Sequence, residues 1–89
     1  MGELARVDGL KIKMYPFDTQ KHKEPHIHVI QPGGRSASVS IASGRILEGE
    51  LERNERRIVM SWMLANREAI WDRWNKAVSG NWIERIDAE

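Results

Sequence analysis

The chain contains no cysteine. That excludes a disulfide framework, a thiolate nucleophile and any zinc site built on thiolates. Aromatic rings other than indole are scarce, with one Tyr and one Phe, and only three Pro interrupt 89 residues. Long apolar runs are missing, so no segment is suited to span a bilayer as a helix. Neither sign of charge dominates: 14 Lys and Arg stand against 13 Asp and Glu, a formal net charge of +1. A dedicated nucleic-acid binder carries a basic stripe that this balance does not supply. No signal-peptide pattern opens the chain. The expectation is a cytoplasmic protein of bacterial type with no membrane partner.

What is present suits a folded domain. Hydrophobic residues make up 40% and charged residues 30%, which rules out a largely disordered chain. A chain this short buries roughly 60–65% of the surface that it exposes when unfolded. Four Trp supply much of the apolar area that so small a core needs. Charge is mildly polarised. Residues 1–45 hold seven Lys and Arg against four Asp and Glu, residues 46–89 seven against nine, giving +3 and −2.

The pattern changes once, near Gly49. Leu10 to Tyr15 alternates as a half-buried strand does, and Pro16 and Asp18 break it. A polar loop follows to Glu24. Pro25 cannot donate to a ladder and suits the start of a second strand, His26 to Ile30. Pro32-Gly33-Gly34 turns the chain into a third, Arg35 to Ala42, and Ser43-Gly44 into a short fourth, Arg45 to Leu47. From Glu52 or Asn54 the period is helical: Ile58, Val59, Trp62, Met63, Ala69, Ile70, Trp74 and Ala77 share an arc of about 160°. Asn66 lies inside that arc and is a good N-cap, so one long helix and two short ones both fit, with a break near Ala65-Asn66 preferred. Gly80-Asn81 ends the helical segment. Trp82 to Ile86 alternates again and suits a short edge strand.

These elements predict one α+β domain over residues 1–89. The sheet covers about 6–48, the helical segment about 52–79, and the C-terminal strand or tail 81–89. An antiparallel sheet of three to four strands carries the helices on one face. Ile12, Met14, Ile27, Val29, Val39 and Ile41 would meet Ile58, Trp62, Ile70 and Trp74. Trp71 lies off the main arc; it, or an unpaired edge strand, offers a route to a homodimer.

If Ile27 and Val29 face the helices, His26 and His28 project together from the other face. Lys11, Lys13 and Tyr15 join them there, with Ser36, Ser38 and Ser40, and Arg35 at the edge. The bland reading is a solvated sheet face, polar by default. A second reading is RNA handling: Lys11, Lys13 and Arg35 bind phosphate, Tyr15 stacks or donates, and His26 or His28 moves the proton of a ribose hydroxyl. That makes His26, His28 and Tyr15 the catalytic candidates. Metal binding is the third, but two histidines need His22 or Glu24 to complete a site, so no metal or other cofactor is expected. A buried, hydrogen-bonded His26 that fixes the loop competes with all of these. Arg53, Arg56 and Arg57 form a second feature. Cations at a helix N-terminus oppose the macrodipole unless an anion binds there. The bland alternative is neutralisation by Glu48, Glu50, Glu52 and Glu55.

Pro25-His26-Ile27-His28-Val29, the run from Ser43-Gly44-Arg45 through Gly49-Glu50-Leu51, Trp62 and Trp74 in the helical segment, and Ile86 resemble a small bacterial family, domain of unknown function 4160. The resemblance runs from about Val7 to Ile86. Glu24 stands where many members have another proline, and Glu52 where many have a proline after Gly-Glu-Leu; the second difference leaves the helix start less defined. The resemblance implies a short protein encoded beside another small protein, in a pair of toxin–antitoxin type, and no established catalytic residue. The leading expectation is therefore one component of such a pair, acting through protein contact with its neighbour's product. The competing one is a metal-independent endoribonuclease or RNA-binding protein.

Overall fold

The computed structural model describes residues 2–15 and 24–86. Five strands form one antiparallel sheet in chain order: β1 (Gly2–Val7), β2 (Leu10–Met14), β3 (His26–Ile30), β4 (Ser36–Ser40) and β5 (Ile46–Gly49). Two helices follow, α1 (Arg53–Ala65) and α2 (Arg67–Val78). The α+β class is as expected, with one strand more than the three or four read from the pattern.

The added strand is β1. Asp8 and Gly9, with φ of 49° and 85°, make the two-residue hairpin turn that pairs Val7 with Leu10. Between Glu3 and Ala5 the register shifts, so Leu4 and Ala5 are both buried and the alternation is lost. Among the described residues, the tail beyond α2 (81–86) is not a strand. It still covers the β1 edge: the Ile86 amide donates to the Leu4 carbonyl at 2.8 Å, and Arg85 reaches Glu3 at 2.6 Å.

The core follows the pattern. Ile12, Met14, Ile27, Val29, Val39 and Ile41 are buried together with Val59, Met63, Ile70 and Trp74. Ile58, Trp62 and Trp71 pack against them partly buried, so Trp71 is not an exposed contact.

Each helix end has a physical cause. The Glu52 amide donates to the Glu55 carboxylate at 3.0 Å, one half of a capping box that fixes the start of α1 without proline. The break falls at Asn66, where it was expected, but for another reason. The Asn66 amide group donates back to the Trp62 carbonyl at 2.9 Å, finishing α1 instead of capping α2. At the end of α2, Gly80 adopts φ 81°; its amide bonds to Ala77 and that of Asn81 to Lys76, a Schellman stop. No helix among the described residues is long and apolar enough to cross a membrane.

Candidate functional site

Register decides which side chains meet. Lys13 lies opposite His28 on β2 and β3, His28 opposite Ser38, and His26 opposite Ser40. Alternation then gathers these residues on the sheet face away from Ile27 and Val29. The rings form a line. Tyr15 and His28 meet edge to face with centroids 4.9 Å apart, His28 and His26 at 5.1 Å, and His26 and Trp74 at 5.8 Å.

Burial separates the two histidines. His26 is 0% exposed and His28 is half-buried. His26 opens β3 at the sheet end where the Ile41 amide bonds to the Pro25 carbonyl. Ile41 and Ile70 line one cavity at that end, and Trp74, one turn beyond Ile70, reaches the imidazole. The expectation that both imidazoles project together from the face opposite Ile27 and Val29, away from the tryptophans, is therefore corrected for His26. They share a face, but the first of them is fully buried, with the Trp74 ring of α2 against it. His26 Nδ1–H donates to the Glu24 carbonyl at 2.9 Å, which fixes the tautomer and the loop end. Ser38 Oγ lies 3.5 Å from His28 Nδ1, at the outer limit of a hydrogen bond. Ser38 and Ser40 are buried as well, so this face is not simply solvated at that end.

The remaining candidates divide. Lys13 is half-buried beside His28; Lys11 is exposed and lies opposite Ile30, further along the strand. Arg35 belongs elsewhere: its guanidinium sits 3.9 Å from the Glu52 carboxylate, at the start of α1. Arg53, Arg56 and Arg57 are exposed on α1, and Arg57 donates to Asn54 at 2.9 Å. His22 lies outside the described residues. Among those described, no three His, Asp or Glu side chains converge to hold a metal ion.

One feature escapes the linear pattern. A cavity of about 260 Å³ opens between the β4–β5 turn and the α1–α2 junction, lined by Ile41, Met60, Met63, Leu64, Arg67 and Ile70 among others. Leu64 is 75% exposed on its rim. Met60 and Leu64, four apart, were the only sequence sign of it; the β-turn wall is a tertiary matter.

Comparison with known families matches residues 9–75 to the family described as Domain of unknown function (DUF4160). The chain belongs to that family. The match covers β2 through most of α2, including the Pro25-His26-Ile27-His28 element, and the DUF4160 description carries no activity. No curated protein and no solved structure matches the chain.

Proposed function

We propose that this DUF4160 protein works by holding a second protein, as one component of a toxin–antitoxin-like pair in a bacterial cytoplasm. The observation that carries this reading is Leu64, 75% exposed on the rim of an open apolar cavity. Methionine-lined hollows adapt to a partner's side chains, and an exposed large apolar residue beside one has a reason to be covered. The enzymatic reading is weakened at His26, whose complete burial leaves no approach for a ribose hydroxyl.

A second reading keeps a specific observation in its favour. His28 is half-buried, Tyr15 touches it at 4.9 Å and Lys13 stands alongside. An RNA backbone reaching that spot would meet a phenol and a cation together, with His28 Nε2 itself buried.

Co-expression of a tagged chain with the product of its neighbouring gene separates the two. Holding a partner gives near-equal recovery of both proteins and intact cellular RNA. RNA cleavage that disappears in a folded His28→Ala variant, with no protein recovered, would transfer the assignment to the second reading.

A further inference from the structure

The arginines at the start of α1 are not neutralised by the glutamates near them in sequence. Glu55 is engaged by the Glu52 amide at 3.0 Å and the Gln31 side-chain amide at 2.6 Å. Glu52 has Arg35 as its nearest cation, at 3.9 Å. Arg53, Arg56 and Arg67 form no ion pair among the described residues. Two of these stand at the first position of a helix, Arg53 on α1 and Arg67 on α2, where positive charge opposes the macrodipole.

Their arrangement is not random. At 100° per residue, Arg53, Arg56, Met60, Met63 and Leu64 occupy about 100° of the α1 surface, with no acidic residue in that sector. Arg67 continues it across the break and lines the same cavity as Met60, Met63 and Leu64. The stripe therefore reads basic, apolar, basic along its length.

We infer that this stripe seats an amphipathic helix of a partner protein, with an apolar residue entering the cavity and carboxylates meeting Arg56 and Arg67. The inference rests on the reading that the chain holds a protein partner and specifies the chemistry of that partner. Carboxylates there face unpaired guanidiniums and the positive end of α2. RNA fits less well, because a phosphate backbone wants a continuous cationic track and here the middle of the track is apolar. A second copy docking the same stripe across a two-fold axis would set arginines against arginines.

The test uses the intact chain and a labelled synthetic helix of about 18 residues, with Leu along one face and Glu elsewhere. Its twin with Lys in place of Glu and a single-stranded RNA serve as rivals. Fluorescence anisotropy should show the Glu helix binding at least about tenfold tighter than either rival. Leu64→Asp, and separately Arg56→Glu with Arg67→Glu, should each weaken it by about tenfold while leaving the melting temperature unchanged, since these side chains are exposed. Equal affinity for the Glu and Lys helices, tighter binding of RNA, or no effect of the variants overturns the inference. So does self-association of the chain that Leu64→Asp abolishes. The neighbouring gene's product distinguishes the two levels. If it co-purifies undiminished with both variants, the stripe is wrong and the paired-protein reading stands. If the Glu helix binds as stated and the neighbour never co-purifies, the stripe stands and that pairing fails.

Discussion

The imidazole of His26 and the indole of Trp74 lie with centroids 5.8 Å apart and planes inclined at 54°. The contact ties the first residue of β3 to the middle of α2, across the end of the sheet. With Nδ1–H held by the Glu24 carbonyl at 2.9 Å, His26 links a loop end, a strand and a helix. A side chain so placed has a structural duty whatever its neighbour His28 does.

His26→Ala should therefore cost about 2–4 kcal/mol, the sum of a buried cavity and a lost hydrogen bond. His28→Ala, at a half-buried position, should cost less, about 1 kcal/mol. Urea melts of the two variants measure this. Equal losses would mean that the two rings are equivalent, against the burial difference.

Gly49 holds a φ of 81°, and a Cβ added there would lie 2.9 Å from the Ala37 Cα and closer still to the Ser36 carbonyl oxygen. Gly49→Ala should lose roughly 2 kcal/mol or more, since both backbone strain and contact with rigid main chain oppose it. A thermal melt within a degree of the parent protein's would contradict this.

Asn66→Ala removes the side-chain donor to the Trp62 carbonyl that finishes α1. The expected loss is about 1 kcal/mol, one hydrogen bond at a part-buried helix end. Chemical denaturation reads it, and an unchanged midpoint would show that the backbone alone makes the break.

Acid tests the capping contact. The Glu52 amide, and after it the Gln31 side chain, hold the Glu55 carboxyl below its ordinary value. A folded-state value below the unfolded one adds stability that is fully present above the unfolded value and lost as pH falls through the lowered one. Glu55→Ala should thus melt below the parent protein near pH 7, and the gap should close as pH falls through the lowered Glu55 value. Glu3, lowered mainly by Arg6, and Asp72, lowered mainly by Lys76, titrate in both proteins and leave the difference to Glu55. A gap constant with pH would contradict the assignment.

Much of this was legible in the sequence where period and burial coincide. Ile12, Ile27, Val29 and Val39 alternate strictly and are all buried, and Asn66 marks the helix break. β1 was not legible because the shift at Leu4 and Ala5 turns two consecutive side chains inward; the Asp8-Gly9 turn was its one clear sign. Alternation put His26 and His28 on a common face but says nothing of what lies at the sheet's end, so the burial of His26 and its contact with Trp74 needed the tertiary fold. The arginine cluster was visible in sequence. Its lack of ion pairs among the described residues was not, because that depends on Gln31, 24 residues away, taking up Glu55.

The central claim is that the chain acts by holding another protein, and the solution mass of the co-expressed pair tests it most directly. Light scattering on the purified material should give a particle heavier than the 10.3 kDa chain by the mass of its neighbour's product. A 10.3 kDa particle eluting apart from that product would contradict the account.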